Sequence, residues 1–118
     1  MAGFMIQGGE INGYSQTIPD EIGSNNSNVA YSVAMANTGQ ANSASSSFFI
    51  NVADNGNNPV DAKGTKFDTK YTVFGNVIDG INVVFAISQV PVGPNPQNSS
   101  ENSSPLTPVT LIKASMLP

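Results

Sequence analysis

Side chains able to move protons or attack an electrophile are scarce in this chain. It has no His and no Cys, which removes the usual general base, the commonest metal ligand, thiolate sites and disulfides. It has no Arg either, since its four cations are Lys63, Lys66, Lys70 and Lys113. Asp20 and Glu21 are adjacent, but neighbouring side chains point apart, so a solvated turn explains them better than a working carboxylate pair. Asn25, Asn98 and Asn102 begin Asn-x-Ser triplets, which a chain this rich in Asn and Ser produces by coincidence. Phe4, Met5, Phe48 and Phe49 alternate along apolar runs, so two of the four are plain core on pattern alone. On the same footing Gln7 satisfies a strand-end backbone group, and Tyr71 is a half-buried strand aromatic with its hydroxyl in water. Asn37 is one of many Asn.

The elements that carry these residues are mostly strands. Periodicity and β-branched or aromatic content predict strands over 4–9, 29–35, 48–52, 71–78 and 109–115. Asp79-Gly80 opens a short helix near 80–89, with Asp79 as N-cap and Ile81, Val84, Phe85 and Ser88 on one face. Pro91 ends it. Residues 11–28 and 54–68 read as loops, and 91–108, with five prolines, as a flexible loop unable to form a ladder. The 118 residues suit one domain, 1–118, with little stability to spare. Only 10% are charged and the net charge is −4, which argues against a phosphate-backbone partner. No apolar run approaches a membrane span and the N-terminus lacks signal-peptide blocks, so no membrane is expected.

Three segments are specific. The first is Gly3-Phe4-Met5-Ile6-Gln7-Gly8-Gly9. The second is Met35-Ala36-Asn37-Thr38 followed by Ser43-Ala44-Ser45-Ser46-Ser47-Phe48-Phe49-Ile50-Asn51, and the third is Tyr71-Thr72-Val73-Phe74-Gly75-Asn76-Val77-Ile78-Asp79-Gly80. Together, in this order and spacing, they resemble the cyclophilins, a family of peptidyl-prolyl cis-trans isomerases. Asn51 to Asn55, Ile87-Ser88-Gln89-Val90 and the ending Leu117-Pro118 are similar to the bacterial branch. The likeness covers essentially the whole chain and corresponds to the C-terminal two-thirds of the family domain. It implies a mainly β fold, a cyclophilin-like antiparallel β-barrel. The barrel is expected to be incomplete, with the leading strands and first helix missing.

The resemblance also implies a function: isomerisation of Xaa-Pro bonds in proline-containing peptides or unfolded proteins, without a cofactor. Amide resonance sets a barrier of about 18–20 kcal/mol, and the family lowers it by holding the proline ring in an apolar pocket while an arginine donates toward the prolyl nitrogen. Carried over, Phe4, Met5, Phe49 and Phe67 line the ring pocket, Phe67 standing where the family usually has Leu. Tyr71 stands where the family has His or, in bacterial members, Tyr. Asn37 anchors the substrate through its backbone, Gln7 orients the arginine and touches the peptide, and Ala36 borders a shallow neighbouring pocket. Two positions depart from the pattern. The family's Gln before Phe-Phe is Ser47 here, and the arginine, expected a few residues before Gly3, has no counterpart. An opened barrel would also expose core and a strand edge, which implies either marginal stability, an oligomer that covers the open edge, or a gene fragment. The sequence leaves the compartment open; the likeness is compatible with a soluble protein of a bacterial-like cytoplasm or periplasm. The alternative reading is a non-catalytic proline-peptide-binding module, or a gene fragment.

Overall fold

A computed structural model describes residues 1–118. Four short strands form an antiparallel sheet: β1 (Met5–Gly8), β2 (Ser32–Met35), β3 (Phe48–Asn51) and β4 (Val73–Asn76). Their order is β1-β3-β2-β4. Met5 pairs with Asn51 and Gln7 with Phe49, while Ala34 pairs with both Phe49 and Val73. Directly opposed residues in a ladder share a face. One face therefore carries Gln7, Ala34, Phe49 and Val73 toward one end, and Met5, Ser32 and Asn51 toward the other. The opposite face carries Ile6, Phe48 and Ile50. This register settles which of the alternating apolar residues are core: Met5 and Phe49 are buried, Phe48 only partly so.

The buried face has an apolar half and a polar half. Met5, Ala34, Phe49 and Phe67 make the apolar half, with Phe4, Ala36, Val60, Tyr71 and Val73 packed around them. The polar half is a chain of amides. Asn51 Nδ2 donates to Asn28 Oδ1 at 3.1 Å and Ser32 Oγ at 3.0 Å, and Asn51 Oδ1 accepts from Asn55 Nδ2 at 2.8 Å. Asn28, Ser32, Asn51 and Asn55 are all buried, and no buried side-chain polar atom lacks a partner. That completeness is what makes a polar core tolerable.

Two helices flank the sheet, where the sequence pattern gave one. α1 (Phe67–Lys70) is a single turn, too short to show a 3.6-residue pattern. α2 (Ile81–Ser88) falls where a helix was expected. Its N-cap is Gly80, not Asp79: Gly80 is left-handed at φ 81°, a conformation that costs glycine nothing. Asp79 Oδ1 accepts the Gly80 N–H from outside the helix. Of the four residues expected on its apolar face, Val84 and Ser88 are buried, whereas Ile81 and Phe85 are exposed.

The C-terminal quarter reverses two expectations. Residues 91–108 do form a ladder: β5 (Val92–Asn95) and β6 (Asn98–Pro105) make a separate antiparallel hairpin. Its prolines are accommodated because a two-stranded ribbon is all edge and Pro94 sits at a register shift, the positions where a missing N–H does no harm. Residues 109–115, rich in strand formers, have no regular structure. Their backbone makes no hydrogen bond with any strand. No helix is long and apolar enough to cross a membrane.

Candidate functional site

Four aromatic rings meet at the apolar end of the sheet's buried face. Phe67 is the hub, edge-to-face with Phe4 at 5.7 Å, Phe49 at 5.9 Å and Tyr71 at 4.8 Å between centroids, and Phe49 meets Tyr71 at 5.3 Å. These separations and tilts are those in which ring edges meet ring faces favourably. Phe49 and Phe67 are buried, and Phe4 and Tyr71 half-buried. Burial pushes the Tyr71 phenol above its ordinary pKa of 10.0, because the phenolate would lose water it cannot replace. Met5 is buried in the same cluster.

Backbone carbonyls of these aromatic residues are held by the amides. Asn26 Nδ2 donates to the carbonyls of Asp68 and Tyr71, both at 2.8 Å, and Asn26 Oδ1 accepts the Val73 N–H at 2.9 Å. Asn28 Nδ2 reaches the carbonyls of Phe67 and Tyr71 at 3.3 Å. Asn55 Nδ2 donates to the Phe4 carbonyl at 2.8 Å. Gly56 packs so tightly on α1 that a Cβ there would collide with the Asp68 carboxylate. Sequence reasoning missed these positioning residues, because single Asn residues do not stand out in a chain so rich in Asn. A signal existed: Asn51 interrupts the dense apolar run Phe48-Phe49-Ile50 at a buried-face position.

Beside the cluster an open cleft of about 530 Å³ separates the sheet from the β5–β6 hairpin. Met5, Gln7 and Ser47 line one wall; Asn95, Pro96, Gln97, Asn98, Glu101 and Ser103 line the other. Gln7 is exposed and its side-chain amide makes no hydrogen bond within the chain; the Ser47 hydroxyl is likewise free, although the Ser47 carbonyl accepts the Ala36 N–H at 3.0 Å. The Met1 amino group donates to the Met5 carbonyl at 2.7 Å. Burial lowers its pKa below 8.0, and the Glu101 carboxylate opposes that shift.

Asn37 lies at another margin. Its Nδ2 donates to the Lys70 carbonyl at 2.9 Å and its Oδ1 accepts the Gly39 N–H at 3.0 Å, so the side chain fastens its loop to the end of α1. The Asn37 N–H and C=O themselves make no hydrogen bond within the chain. Of the expected site residues, Phe4, Met5, Ala36, Phe49, Phe67 and Tyr71 thus pack in one cluster. Met5, Gln7 and Ser47 share the cleft, and Met5 alone belongs to both. Asn37 lines neither this cleft nor the groove behind the sheet. No group of three or more His, Cys, Asp and Glu side chains is gathered for a metal ion.

Comparison with known proteins bears on this arrangement. The family model described as cyclophilin type peptidyl-prolyl cis-trans isomerase/CLD matches residues 1–116. A peptidyl-prolyl cis-trans isomerase from Acinetobacter baylyi is 45% identical over 94 residues, covering 75% of this chain and 48% of that protein. One from Streptomyces antibioticus is 37% identical over 120 residues, covering 97% of this chain and 70% of that protein. The chain thus spans about half the length of the first relative and more of the second. Among solved structures, the crystal structure of a Cryptosporidium parvum cyclophilin type peptidyl-prolyl cis-trans isomerase has a TM-score of 0.66 at 21% identity, covering 91% of this chain and 63% of that one. The same protein in the presence of the dipeptide Ala-Pro gives 0.65 at 22%, covering 90% and 63%. The architecture is therefore cyclophilin-like and mainly β.

Proposed function

The chain belongs to the cyclophilin-type peptidyl-prolyl cis-trans isomerase family, and from that premise we propose that it binds Xaa-Pro segments of peptides and unfolded proteins and isomerises them. The observation that carries this reading is Met5, which is packed into the aromatic cluster and also faces the open cleft. A proline ring held against Met5 gains apolar contact, while the chain on either side of it finds polar groups that have no internal partner. These are the Gln7 amide and the Ser47 hydroxyl, and at the other margin the Asn37 backbone. The structure of a related protein solved with Ala-Pro supports the choice of ligand.

Prolyl isomerisation needs no nucleophile. Twisting the amide removes its resonance, so the nitrogen becomes pyramidal and basic, and a donor aimed at it lowers the barrier. Gln7 brings a neutral donor to the cleft, and this chain contributes no guanidinium. If the family's arginine acts as an oxyanion-hole donor does, a site without one loses about 10²–10³ in rate. Binding thus survives better than turnover, and a non-catalytic proline-peptide module is the second reading that the lack of arginine favours. Self-association is part of the proposal, because β1 and β4 each lack a partner on one side.

The test is a titration with an Ala-Pro peptide followed by NMR. The Met5 methyl and Gln7 side-chain amide signals are expected to move and saturate together, and Gln7→Ala to weaken binding several-fold. Shifts confined to the groove between Ile6, Phe48 and α2, or no shifts at millimolar peptide, would overturn the reading.

A further inference from the structure

The wall opposite Gln7 is itself an Xaa-Pro unit. Asn95 pairs with Asn98 across the hairpin, so Pro96 and Gln97 form its tip. The tip is pre-shaped: Asn95 Oδ1 accepts the Gln97 N–H at 2.9 Å, and Asn95 Nδ2 donates to Ser103 Oγ at 3.0 Å. Those bonds are all internal to the hairpin. No hydrogen bond ties residues 92–105 to the four-stranded sheet, and the nearest charged link is Glu101 beside the Met1 amino group. The arm is thus rigid within itself, joined to the body through residues 89–91 and Leu106, and it carries its proline to the rim of the cleft that Met5, Gln7 and Ser47 line.

We propose that the Asn95–Pro96 tip is a built-in competing ligand, a strap that swings across the open cleft onto Met5 and Gln7 and competes for them with an external Xaa-Pro segment. This inference rests on the peptide-binding reading above and adds its regulation. A tethered segment reaches an effective concentration in the millimolar range, enough to compete with a peptide of modest affinity. Apparent affinity then falls by the fraction of molecules that are open.

Calorimetric titration of an Ala-Pro peptide into three proteins decides the matter: the wild type, Pro96→Ala, which removes the competing ring, and Asn95→Ala, which loosens the tip. Circular dichroism and urea midpoints check that each is folded. Roughly 3–10-fold tighter binding in both variants is expected. In the wild type, saturating peptide should also abolish any cross-relaxation between the Pro96 ring and the Met5 methyl. That readout decides alone if a variant fails to fold, since cross-relaxation that is absent or indifferent to peptide overturns the strap. Equal affinities in the folded proteins overturn the strap and leave the binding reading intact; no binding by any of the three overturns both.

Discussion

Asn51 shows how much of this site depends on amides that lie away from its cleft. Its two donated bonds and one accepted bond join Asn28, Ser32 and Asn55, and Asn28 and Asn55 in turn hold the carbonyls of Phe67, Tyr71 and Phe4. Asn51→Ala leaves buried polar atoms unpaired, at about 1–3 kcal/mol for each group so orphaned. Urea unfolding should show a loss of about 2–3 kcal/mol or more, and an unchanged midpoint would mean the network is incidental. Tyr71 gives a pH signature. Its folded pKa is raised, so the stability it contributes is fully present below the ordinary phenol value and lost as pH rises through the folded one. Between pH 9 and 11 the wild type should lose more stability than Tyr71→Phe does, as read from urea midpoints. Parallel curves for the two proteins would place the Tyr71 hydroxyl in water.

At the scale of elements, α1 presents Phe67 to three other rings. Removing that ring should cost about 3–5 kcal/mol, as phenylalanine-to-alanine changes in cores do, whereas Phe67→Leu keeps most of the volume and should cost clearly less. Comparable losses from both in chemical denaturation would show that the edge-to-face geometry, not apolar filling, holds the cluster. What could be read from sequence divides along the same line. β1, β2, β3 and β4 were legible because alternation and β-branched content mark a half-buried strand wherever a partner strand exists. The ring cluster was legible only through the family likeness, since alternation alone does not tell Phe48 from Phe49. α1 was hidden by its single turn. The hairpin was hidden because proline content reads as loop, although an isolated two-stranded ribbon leaves outward N–H positions where proline fits. Residues 109–115 misled in the opposite sense: Val109 and Leu111 lie along the groove with Ile6, Phe48 and Ile50, but their backbone makes no hydrogen bond with any strand, and strand-forming composition alone does not make a strand.

Across the whole molecule, only twelve of 118 residues are buried, so the margin of stability is thin and the sheet's free edges matter. β1 and β4 end the sheet with unpaired backbone groups, which invite pairing with another chain. Light scattering after size exclusion should show a mass that rises with concentration; a strict monomer at high concentration would remove self-association from the account. The central proposal is narrower: the Met5–Gln7 cleft recognises Xaa-Pro, and a cationic donor brought over it raises the rate of isomerisation. Exchange NMR of an Ala-Pro peptide tests it most directly, with this chain alone and with an arginine-bearing strand joined ahead of Met1. Bound peptide in both samples, with isomerisation faster by about 10²–10³ in the second, is the predicted result. Equal rates would contradict the role given to the cation, and a peptide that binds neither protein would contradict the site itself.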